Sequence, residues 1–197
     1  DRGSWIQRAV SGPSPRHSSM MVYDTSRGVV VLHGGTPNGG VAVCNETWEW
    51  DGVAWARRSE AGPPQTCEGA MFYDEVHNAT VLLLSGQKWS WDGIAWHVQS
   101  VPGPSPRRWG PSAYDTDRHV LVMFSSQWDG NDYVSGTWEW DGVAWSERLV
   151  PGPGGREEHA MVYDSSRHVT VLFGGITRLG FNKETWEWNG ISWINTY

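Results

Sequence analysis

The sequence predicts an all-β fold, a β-propeller built from four-stranded antiparallel blades. Three observations predict it. A tryptophan-rich nonapeptide recurs four times, as "TWEWDGVAW" at 47–55, "KWSWDGIAW" at 88–96, "TWEWDGVAW" at 137–145 and "TWEWNGISW" at 185–193. Counting from Trp5, Trp55, Trp96 and Trp145, the next Tyr-Asp pair begins 18 residues on every time, at Tyr23, Tyr73, Tyr114 and Tyr163. Only the stretch from that tyrosine to the next motif's first tryptophan varies, at 25, 16, 24 and 23 residues. A rigid unit of 41 to 50 residues with one loop free in length is a stacked repeat, and the fold follows from what each unit contains.

Each unit reads as four strands. The first runs into the Tyr-Asp pair, as in "SSMMVYD" and "HAMVYD". A tight turn follows ("DTSRG", "DEVHN", "DTDRH", "DSSRH"), in which the leading Asp accepts hydrogen bonds from backbone N–H groups just ahead. The second strand is a near-continuous apolar run ("VVVLHGG", "ATVLLLSG", "HVLVMFSS", "VTVLFGG"), the mark of a strand buried on both faces. The third carries the first two tryptophans of the motif on one face and the intervening Thr and Glu on the other. Asp-Gly then signals a hairpin into the fourth strand, the most polar and therefore the outermost. A Gly-Pro pair in each link (Gly12-Pro13, Gly62-Pro63, Gly103-Pro104, Gly152-Pro153) stops the pairing and turns the chain.

Four such strands make a propeller blade. The expected divisions are an orphan outer strand of a preceding blade at 1–12, then blades at 13–60, 61–101, 102–150 and 151–197. A blade cannot bury its own faces, so the motif tryptophans are expected to wedge blade against blade. Fully burying one large aromatic side chain contributes roughly 2–3 kcal/mol. The segment "GSWIQRAV" at 3–10 aligns with a fourth strand whose three partners are missing, and four blades leave two end faces uncovered. The sequence therefore predicts a slice of a longer propeller, or a chain that associates with further copies of itself, with a compact four-bladed ring as the competing outcome.

The double glycines after the second strand (Gly34-Gly35, Gly174-Gly175) and the tryptophan-bearing third strand resemble the kelch repeat. The "WEWDG" wording resembles the kelch-like repeats of secreted bacterial proteins. Repeats two and three depart from it, with Leu84-Ser85 and Ser125-Ser126 in place of the glycines. The resemblance covers the whole chain and implies a propeller, but it fixes no activity. The kelch-type copper oxidases imply a Tyr–Cys cofactor. The only cysteines here, Cys44 and Cys67, sit in no matching constellation, so no cofactor or metal is expected.

A net charge of −7 and an isoelectric point near 5.4 exclude a nucleic-acid partner. No apolar run approaches the roughly 18 residues that span a bilayer. His119 and His168 share one hairpin-turn position, which points to turn chemistry rather than metal binding. "DGND" at 129–132 reads as a solvated acidic loop.

A binding surface is expected on the face where the links and the second-to-third-strand loops open. Trp109 stands where other repeats have Ser18, Glu68 and Glu158, and Trp128 lies outside the motif, so the pair is a candidate platform for a sugar or protein. Mutual or loop covering of the two rings is the competing reading. Arg16, Arg107 and Arg156 recur 11 residues after the reference tryptophan and would ring the channel mouth, either as an anion site or in local pairs with Glu and Asp. Cys44 and Cys67 fall on adjacent loops of that face and are expected to form a disulfide, hence an oxidising compartment. Asn45 and Asn78 begin glycosylation acceptor triplets. The chain starts with Asp1 rather than Met, consistent with processing or a longer parent. These signs point to a non-enzymatic extracellular scaffold that binds a protein or glycan through its loop face. A self-assembling structural protein and a carbohydrate-active enzyme are the alternatives.

Overall fold

The structure, a computed structural model, describes residues 6–8, 11–37, 45–64, 69–84, 86–101, 103, 110–128 and 130–196; the side chains of residues 127 and 128 lie outside the description. It is all-β and contains four four-stranded antiparallel blades arranged as a propeller. No helix among the described residues is long and apolar enough to cross a membrane.

Blade 1 comprises β1 (Arg16–Asp24), β2 (Val29–Pro37), β3 (Thr47–Trp50) and β4 (Trp55–Ser59). Blade 2 comprises β5 (Ala70–Asp74), β6 (Ala79–Leu84), β7 (Gln87–Trp91) and β8 (Trp96–Ser100). Blade 3 comprises β9 (Ser112–Asp115), β10 (Val120–Trp128), β11 (Tyr133–Trp140) and β12 (Trp145–Arg148). Blade 4 comprises β13 (Ala160–Asp164), β14 (Val169–Phe173), β17 (Thr185–Trp188) and β18 (Trp193–Asn195), with a small extra hairpin of β15 (Ile176–Thr177) and β16 (Gly180–Phe181) in its variable loop. Strand order within every blade follows chain order, and the first strands β1, β5, β9 and β13 meet along the axis. Residues 6–8, the described part of the anticipated surplus strand, are not in a strand, and the rest of 3–10 lies outside the described residues.

The turns form for the expected reason. Asp24, Asp74, Asp115 and Asp164 each accept from the backbone N–H three residues ahead, at 3.0 to 3.2 Å. The next residue must then adopt positive φ: Gly28 (67°), Asn78 (50°), His119 (54°) and His168 (56°). His119 and His168 thus occupy one strained turn position in different blades. The link glycines have a packing reason. A Cβ on Gly62, Gly103 or Gly152 would come within 2.6 to 2.9 Å of the indole of Trp96, Trp145 or Trp193.

The second strands carry the core. Val81, Leu82, Leu83, Val122, Met123 and Phe124 are all buried, as a strand covered on both faces requires. One apolar cluster joins Phe72, Val81 and Leu83 to Leu121 and Trp140, and a second joins Val122 and Phe124 to Leu172, Trp188 and Trp193. Both clusters run across blade boundaries, so the seams between blades are where the fold is held together.

Candidate functional site

The seams between blades 1 and 2 and between blades 3 and 4 press the tryptophan face of one blade onto the Thr/Glu face of the blade before it. Between blades 1 and 2, Trp91 Nε1 donates to Glu49 Oε1 at 2.9 Å, and Trp96 Nε1 donates to Thr47 Oγ1 at 2.8 Å. Between blades 3 and 4, Trp188 Nε1 donates to Glu139 Oε1 at 2.9 Å, and Trp193 Nε1 donates to Thr137 Oγ1 at 2.8 Å. Strand alternation puts Thr and Glu on the side of the third strand away from its own tryptophans, which fixes the hand of this latch.

Both latch carboxylates are almost fully buried and need more than an indole to stay charged. Glu49 also accepts from Arg27 and, at 2.9 Å, from Arg58. Glu139 accepts from Arg118 at 2.7 Å and Arg148 at 2.8 Å. Burial pushes the Glu139 carboxyl up, but the bonds from Trp188, Arg118 and Arg148 outweigh it and hold the group below the usual carboxylate range. The arginines are positioned by the turn aspartates, Arg27 by Asp24 and Arg118 by Asp115.

The seam between blades 2 and 3 departs from this pattern. Blade 2 has Lys88, Ser90 and His77 where blade 1 has Thr47, Glu49 and Arg27. Trp140 Nε1 is consequently buried with no hydrogen-bond partner. Lys88 Nζ instead lies 5.9 Å from the Trp140 ring centre and donates to the Gly142 carbonyl at 3.3 Å.

The two end blades expose the latch halves. On blade 4, Phe173 is 54% exposed, whereas its counterparts His33, Leu83 and Phe124 are all but completely buried. Val162 and Ile194 are exposed beside it, and Glu187 accepts from Arg167 on the same face. On blade 1, Met21 and Tyr23 are exposed, and Ile6 and Arg8 line a shallow pocket with Met21, Trp50 and Trp55. Tyr73, the counterpart of Tyr23 in blade 2, is buried.

The loop face was expected to hold the recognition residues. Links and variable loops do share a face there, because Glu157 of the last link forms a bridge with Ile176 of the blade 4 loop. Of the expected arginine ring, Arg16 pairs with Glu46 at 2.8 Å and Arg156 pairs with Glu184 at 2.7 Å. Arg16 also donates to the Gly34 carbonyl, and Arg156, wholly buried, donates to the Gly154 and Gly174 carbonyls. Both follow the local-pair alternative and pin a link to its loop. Arg107, Trp109, Cys44 and Cys67 lie outside the described residues, so the platform and the disulfide find no geometry here. Trp128 is in β10, paired with Tyr133, and its side chain is not described. Asn45 and Asn78 are both exposed. Among the described residues no group of three or more His, Cys, Asp or Glu could hold a metal.

Sequence reasoning missed Leu179 and Phe181. They sit on the β15–β16 hairpin at 92% and 93% exposed, held by Asn182 N donating to the Gly175 carbonyl and by Thr177 Oγ1 donating to the Gly180 carbonyl. The signal was present: two bulky apolar residues flank Gly180 inside a loop with no strand periodicity.

No protein-family model and no curated protein sequence matches the chain. Solved structures do match, among them that of YjhT, at 9% identity and a TM-score of 0.44, covering 93% of this chain and 84% of that one. The kelch resemblance therefore rests on the repeat motifs alone.

Proposed function

We propose that the chain is a non-enzymatic extracellular scaffold that binds a protein or glycan through its loop face. The observation that carries this reading is the pair Leu179 and Phe181, presented almost bare on a hydrogen-bonded hairpin. Exposed bulky apolar side chains on an ordered tip gain nothing for the fold and supply the buried centre of an interface. At the seams between blades 1 and 2 and between blades 3 and 4 the indoles, Thr and Glu are paired with one another for architecture, which leaves recognition to the loops.

Replacing both Leu179 and Phe181 by Ala is expected to change stability by less than about 0.5 kcal/mol, as for surface sites generally. The same variant is expected to lose binding on a glycan array and on an extracellular-protein array where the wild type scores. Unchanged binding at every wild-type hit would remove the hairpin from the recognition surface.

The uncovered ends favour a second reading, in which the blade 4 face receives the tryptophan face of another copy. Phe173, Thr185 and Glu187 stand there in the positions that Phe124, Thr137 and Glu139 use to hold blade 4 itself. Such a head-to-tail contact closes into a ring or continues as a filament.

A further inference from the structure

We propose that Arg8 completes the open latch of a second copy: when that copy docks its blade 4 on blade 1, its Glu187 takes Arg8 as a second guanidinium. The pairing rests on the reading in which the blade 4 face meets the tryptophan face of another copy.

Each buried latch carboxylate is held by two arginines, one from the turn after the first strand and one from the fourth strand. Glu49 accepts from Arg27 and from Arg58, and Glu139 accepts from Arg118 and from Arg148. The fourth-strand arginine stands three residues after the last tryptophan of the motif, Arg58 after Trp55 and Arg148 after Trp145. Blade 2 has Gln99 in that place, and its glutamate is missing as well, replaced by Ser90. In these three blades the glutamate and the fourth-strand arginine are present together or absent together.

The two ends of the chain break this rule in opposite directions. Blade 4 keeps the glutamate but not the arginine. Thr196 stands three residues after Trp193, and its Oγ1 donates to the Thr185 carbonyl, so the fourth strand offers Glu187 no cation beside Arg167. The N-terminal segment keeps the arginine but not the glutamate. Arg8 stands three residues after Trp5 and is exposed. One end lacks the group that the other has in surplus.

Arg8 is also in the right place. It lines a shallow pocket of ≈ 320 Å³ with Ile6, Met21, Val30, Trp50 and Trp55, and it is the one charged group among those residues. Trp50 and Trp55 are the counterparts of Trp91 and Trp96, which donate to Glu49 and Thr47 at the first seam. A glutamate seated on Trp50 as Glu49 is seated on Trp91 therefore enters this pocket beside Arg8. Its bond to the guanidinium is charge-assisted, and docking of the two faces shields it from the salt that screens an exposed pair.

The test measures self-association constants of the full chain by sedimentation equilibrium. Arg8→Ala is expected to weaken association by at least about tenfold, because it removes one partner of an ion pair that the contact encloses. Adding Thr196→Arg to Arg8→Ala sets an arginine where Arg58 and Arg148 stand, and is expected to restore the association. A wild type of 22.1 kDa at every concentration removes the head-to-tail reading and the pairing with it. A wild type that associates, with Arg8→Ala associating as tightly, overturns the pairing alone. A loss in Arg8→Ala that Thr196→Arg leaves unrepaired also overturns it, since Arg8 then serves some group other than Glu187.

Discussion

Glu139→Ala is expected to destabilise the protein by about 3–5 kcal/mol, the usual result of removing one partner from a buried ion pair. The loss strands Trp188 Nε1, which is buried, and takes away the acceptor shared by Arg118 and Arg148. For a chain of this size the melting temperature should fall on the order of 10 °C. The same truncation at Glu187 is the control. That carboxylate accepts from Arg167 but lies on the open face of blade 4, with no indole seated on it among the described residues. At low protein concentration its removal should cost less than about 1 kcal/mol, the range of exposed pairs. Equal effects at the two positions would mean that covering by the next blade contributes nothing to the latch.

Acidification should unfold the protein well before its carboxylates titrate. Burial lowers His33 from 6.5 to about 4, and burial together with the nearby Arg156 charge lowers His159 to about 4. The native state keeps both rings neutral in this window while the unfolded chain takes up protons. Stability is therefore complete above about pH 6.5 and falls as the pH drops toward 4. Each shift is worth about 3 kcal/mol at the acid end of that window. Together they rival the roughly 5–15 kcal/mol of a whole domain. His168 runs the other way, raised by its bond to Asp117, but it is exposed and contributes little. Thermal unfolding followed from pH 7.5 to 4.5 should show a steep loss, and His33→Gln should flatten it. A melting temperature level between pH 7 and 5 would contradict the burial of these two rings.

Most of the fold was legible because it repeats. The 18-residue interval, the Asp-led turns and the apolar second strands are local signals that four copies reinforce, and they mark the strand order of the blades. The architectural role of the tryptophans was legible in kind but not in partner. Trp91 meets Glu49 and Trp188 meets Glu139 across 42 and 49 residues of chain, and no periodicity within a repeat reveals which atom of the neighbouring blade receives the indole N–H. For Arg16 and Arg156 the sequence allowed local pairs with acids as well as an anion site at the channel mouth, but it did not say which acids. Glu46 and Glu184, two residues before the first motif tryptophan, come back to meet them. Even a departure that was plain in the sequence, "KWSW" for "TWEW", says nothing until the seam is built and one indole is left without an acceptor.

The motif is a blade-to-blade latch whose two halves stand open on blades 1 and 4. Light scattering across a concentration series tests this most directly. The chain is expected to give a mass above 22.1 kDa that rises with concentration, and Glu187→Arg, which sets a cation where an indole N–H must dock, should return it to 22.1 kDa. A wild-type particle of 22.1 kDa at every concentration would contradict it.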